Sequence, residues 1–266
     1  DPVFSKSDER LTGLDKIEST IATTLLSVFR SGGALDNLPR LPASEEEAAS
    51  IRNVVGAGQT TVRSGFEANR ESVVNSDIEN YKVLHFATHG LIDETRPELS
   101  GIVLSLYDND GKAQDGGVIR LQDVYGLNLR SDLVVLSACE TGIGKELRGE
   151  GLMSLNNAFL QAGAKTVVSS LWKVDDTATK QLMTTFYQGI AEEGLTASAA
   201  LHKAQIAMYM DPRYASPFHW AAFTVQGEYQ RKPGIGAGFS LWILTFLIVP
   251  IVVFGVSRYA RVRRHS

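Results

Sequence analysis

The chain has 266 residues, 44% hydrophobic and 21% charged, proportions that let one sizeable domain bury a real core. Its net charge of −4 is uneven: from residue 231 onward there are six Lys/Arg and no acid, which leaves 20 basic against 30 acidic residues in 1–230. So acidic a domain is excluded as a direct binder of nucleic-acid phosphates, and one cysteine excludes an internal disulfide.

In chain order, the opening "DPVFSKSDER" has neither an initiator Met nor an apolar leader, and reads as the continuation of something longer. Residues 1–80 are expected to be helical with loops. Leu14, Ile17, Ile21, Leu25 and Val28 recur at spacings of three and four, the pattern of an amphipathic helix. The proline-rich "LPRLP" is a loop, after which Ser44 and Glu47 spell a capping box that starts a second helix. The acidic run "SEEE" reads as that helix start alone, and "FEANRESVVNS" as a short third helix.

From residue 83 the pattern changes. The runs "VLHFATH", "GIVLSLYD", "LVVLSAC", "TVVSSLW" and "WAAFTVQG" are strand-like, and the last three alternate with the amphipathic stretches "GEGLMSLNNAFLQAG", "DDTATKQLMTTFYQGIAEEG" and "TASAALHKAQIAMY". Continuously apolar strands separated by helices predict an α/β fold with a mainly parallel sheet covered on both faces, over 81–228. Gly163 and Gly194 sit at helix stops, and Asp175 or Asp176 at an N-cap.

After a linker at 229–236, residues 233–257 carry no charged side chain. About 20 apolar residues suffice to cross a bilayer, so a single-pass transmembrane helix is expected at 237–257, followed by a basic tail at 258–266. Arg258, Arg261, Arg263 and Arg264 favour a cytosolic tail by the positive-inside rule, or bind headgroups of a tail-anchored protein; the side of the membrane stays open.

Two strand ends carry the chemistry. "VLHFATHG" closes in His89–Gly90 and "LVVLSAC" in Cys139–Glu140. In open parallel sheets, functional groups collect beyond the carboxyl ends of strands. If the two strands are neighbours, the His89 imidazole can activate the Cys139 thiol and later protonate a leaving amine. The backbone N–H groups of Gly90 and Cys139 could then hold an oxyanion. His85, four residues earlier, belongs to packing or the opposite rim. Trp172 and Asp175 in "SSLWKVDD" could wall a specificity pocket, or serve as core and N-cap. Glu140 and Gly142 could support the active-site loop. A phosphate-binding P-loop fails, because Lys145 is followed by Glu146 and the position five before Gly144 is Cys139. A cysteine-phosphatase loop fails because Lys145 stands where Arg is needed. His85, His89 and Cys139 lack zinc-ligand spacing, so neither metal nor organic cofactor is expected.

The blocks "DPVF", "VLHFATHG", "LSG", "LSACETGIG", "GEGL", "AFLQAGAKTVVSSLWKVDD", "FYQGI", "ALHKAQ" and "SPFHWAAFTVQGE" together resemble the CHAT domain, a caspase-like peptidase domain often attached to tetratricopeptide repeats. His89 and Cys139 lie 50 residues apart, the spacing seen in caspases. The resemblance implies a three-layer α/β/α sandwich and a Cys139–His89 dyad acting on a protein or peptide substrate. It also implies an upstream repeat region or regulatory partner. Glu140 departs from the caspase pattern, so cleavage after aspartate is not expected. The alternative is a non-catalytic CHAT module that scaffolds protein partners at the membrane.

Overall fold

The computed structural model describes residues 1–5, 8–11, 38–74, 78–93, 97–114, 116–137, 139–143 and 150–235. Eight strands build two four-stranded sheets. The first contains β1 (Val83–Phe86), β5 (Leu133–Leu136), β7 (Thr166–Ser170) and β8 (Phe223–Gly227) in that order. Its pairs are parallel except for β7 with β8. The second runs β4 (Val118–Arg120), β3 (Gly101–Val103), β2 (His89–Asp93), β6 (Cys139–Ile143), and only β2 with β6 is parallel there.

Alternation along the central strands of the first sheet explains its layers. Leu133, Val135 and Val168 face one apolar cluster, and Val134, Leu136 and Val167 face another. The first cluster is closed by α1 (Pro42–Val55), α5 (Asp176–Ala191) and α6 (Ala197–Met210), the second by α3 (Leu121–Tyr125) and α4 (Glu150–Gln161). Phe159 of α4 is fully buried there, its ring 5.6 Å from that of Phe86. A sheet covered on both faces by helices is the mixed α/β arrangement expected.

The local signals resolve unevenly. Asp175 caps α5 by accepting from the Ala178 N–H at 2.9 Å. Gly163 and Gly194 end helices at positive φ; at Gly163 a Cβ would also fall 2.2 Å from the Leu129 carbonyl oxygen. The capping box at Ser44 does not form. Helix α1 starts earlier, with Pro42 in its first turn, where the missing N–H costs nothing, and the Ser44 hydroxyl donates to the Leu41 carbonyl instead. The short third helix is α2 (Glu71–Val74). The helix expected over 14–28 lies outside the described residues.

The transmembrane helix expected at 237–257 is corrected. No helix among the described residues is long and apolar enough to cross a membrane, and residues 236–266 lie outside them. A span needs a continuous helix of about 30 Å that satisfies its own backbone. The longest described helix, α5, has 16 residues, about 24 Å at 1.5 Å per residue, and it is amphipathic. An apolar run alone is a composition, not a span, so the membrane location and anchor are withdrawn with it.

Candidate functional site

The segments bearing His89 and Cys139 each contribute to both sheets. One forms β1 and then β2, the other β5 and then β6. The register in the first sheet pairs Val83 with Leu133 through Phe86 with Leu136. The register in the second pairs His89 with Cys139 through Asp93 with Ile143. The offset is the same on both sides of the break. The 50-residue spacing is therefore the register offset of two parallel strand pairs. It sets His89 and Cys139 side by side at the start of β2 and β6, on strands about 4.8 Å apart.

His89 is 1% exposed. Its Nε2 lies 2.8 Å from the Pro39 carbonyl oxygen, which can only accept, so Nε2 carries the proton and donates. That tautomer leaves a lone pair on Nδ1, which is buried and has no hydrogen-bond partner among the described residues. The Phe4 ring packs on the imidazole at 4.8 Å. Burial lowers the His89 pKa below the usual histidine range; the bond to Pro39 offsets this in part, Lys173 lowers it further and Asp176 raises it. Burial thus favours the neutral imidazole, with its basic nitrogen free of hydrogen bonds among the described residues.

The loop carrying Pro39 is itself pinned. Asp1 accepts from the Leu41 N–H at 3.1 Å and from Arg40 Nη2 at 2.6 Å and Nε at 3.0 Å. Arg10 ties Asp8 into the same cluster through Nε at 2.8 Å and Nη2 at 2.7 Å, and its guanidinium holds the Asp8 carboxyl below its ordinary range. Both carboxylates are nearly inaccessible, so each needs its arginine.

Other sites from the sequence fall as follows. Gly90 lies inside the second sheet, in register with Ile102 on one side and Glu140 on the other, and Gly142 is in register with Ile92. Trp172 is half-buried against the α5–α6 side of the core and donates from Nε1 to the Phe218 carbonyl at 3.1 Å. Asp175 is the α5 cap. His85 packs inward: Nδ1 lies 3.0 Å from the Tyr187 hydroxyl and Nε2 3.0 Å from Glu47 Oε1. The latter pair lies off the line of a hydrogen bond, both atoms counting as unpartnered. The acidic run is therefore more than a helix start, since Glu47 is buried. Burial and the Glu47 charge push the Tyr187 hydroxyl far above its ordinary pKa, so it stays protonated beside His85. Sequence reasoning missed Pro39 and Phe4. The first acts through a backbone carbonyl, which every residue has. The second sits in "DPVF", whose only signal was its match to a family block.

A family model described as "CHAT domain" matches residues 22–228. Among curated proteins, tetratricopeptide repeat protein 28 of Mus musculus is 29% identical over 71% of this chain. Tetratricopeptide repeat protein 28 of Homo sapiens is 30% identical over 71%. The chain covers 9% and 8% of those two proteins, a small part of their length.

Proposed function

The chain belongs to the CHAT domain family, and from that premise we propose that it is a caspase-like cysteine endopeptidase, with Cys139 as nucleophile and His89 as general base. The observation that carries this reading is the shared register position of His89 and Cys139, together with an imidazole whose buried Nδ1 has no hydrogen-bond partner among the described residues.

In the proposed reaction, His89 Nδ1 takes the thiol proton while the Pro39 carbonyl holds the Nε2–H. The thiolate attacks the peptide carbonyl carbon, and the N–H of Cys139, at the start of β6, receives the developing oxyanion. The imidazolium then gives its proton to the leaving amine, and the C–N bond breaks to leave a thioester. Water, deprotonated by the same nitrogen, hydrolyses the thioester and restores the thiol. Trp172 serves as a core contact and Asp175 as the α5 cap, and Glu140 with Gly142 continue the strand that begins at the nucleophile. The tetratricopeptide repeats in the names of the relatives support a repeat region as the regulatory partner of this domain.

A second reading, a non-catalytic interaction module, draws support from the near-complete burial of His89, since a working base must be reached by substrate. An electrophilic thiol probe separates the two. Labelling of Cys139 should slow by roughly 10²–10⁴-fold in His89→Ala, the range for general acid–base groups, and vanish in Cys139→Ala. Labelling indifferent to His89→Ala would favour the interaction module.

A further inference from the structure

Two histidines, His85 in β1 and His89 at the start of β2, both reach the segment 39–47 that leads into α1. His89 holds its beginning through the Pro39 carbonyl. His85 meets its far end, with Nε2 3.0 Å from Oε1 of Glu47 in the second turn of α1. Glu47 stands out there by its chemistry. The inward face of α1 carries Ser44, Glu47 and Ile51, and Glu47 is 3% exposed, in a stripe where a surface helix ordinarily buries aliphatic side chains. A carboxyl group so buried needs a partner. Neither Glu47 Oε1 nor His85 Nε2 has an aligned hydrogen bond among the described residues, so their mutual contact is what the two atoms have.

Tyr187 decides which proton His85 presents. Burial keeps the phenol protonated, and His85 Nδ1, 3.0 Å away, is its hydrogen-bond partner. The hydroxyl therefore donates to Nδ1, and the imidazole proton stands on Nε2, on the side of Glu47. Both histidines thus present Nε2–H to the same segment, one to a carbonyl and one to a carboxyl oxygen. Packing alone does not hold His85 in place. The residue lines two cavities, of about 200 Å³ and about 140 Å³, so there is open space beside it and polar contacts fix its position.

The two contacts are joined mechanically. The Leu41 carbonyl accepts from the Ser44 N–H at 2.9 Å and from its hydroxyl at 2.7 Å, which ties the turn after Pro39 to the first turn of α1. Pro39 and Pro42 restrict the backbone on either side of that turn. On the histidine side, Thr88 lies in the break between β1 and β2 and donates to the Val103 carbonyl at 2.6 Å. A shift of α1 against β1 is therefore passed to the Pro39 carbonyl.

We propose that Glu47, engaged by the Tyr187–His85 pair, is a positioning residue for His89. It fixes segment 39–47 against the two strands, so that the Pro39 carbonyl stays on the His89 Nε2–H and Nδ1 remains the basic nitrogen. The catalytic meaning of this clamp rests on the reading of His89 as a general base. The clamp itself rests on the geometry.

The test sets Glu47→Leu, which removes the acceptor and fills its space, beside Glu47→Gln, which keeps an acceptor oxygen. NMR follows solvent exchange of the His89 Nε2–H, referenced to the core amides of Val134 and Val168. In Glu47→Leu that proton should exchange at least about tenfold faster relative to those amides, as a locally opened bond does. Tm should hold or rise, because an apolar side chain in place of a buried carboxyl is often neutral or stabilising. Glu47→Gln should stay within about threefold of wild type. An unchanged rate in Glu47→Leu overturns the proposal. So does a rise matched by the core amides, which marks general loosening, or an equal rise in Glu47→Gln, which takes the acceptor out of the account. If Glu47→Leu does not fold, Tyr187→Phe keeps the ring and removes the donor to His85; it should also speed the His89 proton, and an unchanged rate there is equally fatal. Labelling of Cys139 on the same variants decides the base reading separately: faster exchange with unchanged labelling keeps the clamp and removes its catalytic role.

Discussion

The two sheets are made from the same two stretches of chain, yet they are held together differently. In the first, Leu133, Val134, Val135, Leu136, Val167 and Val168 are all fully buried, packed between helices on both faces. In the second, the strands are three to five residues long and the buried set includes His89, Asp93 and, beside the strands, Thr88 and Ser100. Hydrogen bonds set its shape: Thr88 Oγ1 donates to the Val103 carbonyl at 2.6 Å, and Ser100 Oγ accepts from the Asp93 N–H at 3.0 Å. Both sheets bury apolar side chains, Leu91, Ile92, Ile102, Val103 and Ile119 in the second, but the second adds a buried imidazole held by a backbone carbonyl. Because β1 continues into β2 and β5 into β6 without a change of register, the rigidity of the first is passed to the second.

That contrast can be broken from either side. Phe159→Ala, in the core behind the first sheet, should cost about 3–5 kcal/mol in denaturant unfolding, the range for emptying a large aromatic site. A loss under about 1 kcal/mol would mean the α4 layer is not the main support. Gly101→Ala acts on the second sheet, where a Cβ would meet the Ile119 carbonyl oxygen at 2.2 Å. It should cost about 1–3 kcal/mol through forced backbone shift and should slow probe labelling of Cys139, whereas Phe159→Ala should leave the labelling rate of the folded fraction unchanged. The smallest effect concerns pH. A histidine whose pKa is lowered by folding binds fewer protons than the unfolded chain does. Its stability contribution is complete above the ordinary histidine range, and falls as pH drops below about 6.5 toward the folded value. Wild-type protein should therefore lose more stability between pH 7 and 5 than His89→Gln. Parallel curves would show that burial does not perturb this ring.

The aliphatic runs and their helical intervals announced the first sheet, because burial on both faces requires continuous apolar strands. The same runs blurred the second. "VLHFATH" and "LVVLSAC" read as one strand each, although the chain breaks after Phe86 and Leu136 and pairs again from His89 and Cys139. The antiparallel additions β3 and β4 are three residues each, too short for a period to register. The membrane span was read from composition alone, and no helix among the described residues is long and apolar enough to cross a membrane.

By itself, the sequence determined the α/β class, the family, and the 50-residue offset that puts His89 and Cys139 in one register, since strand spacing and residue type are local and survive without coordinates. Only the tertiary structure decided which nitrogen of His89 holds the proton, because that depends on a carbonyl 50 residues upstream at Pro39. Only it disclosed the two cavities beside β1. Backbone groups are common to every residue, so their partners are written in the folding of the chain and not in its letters.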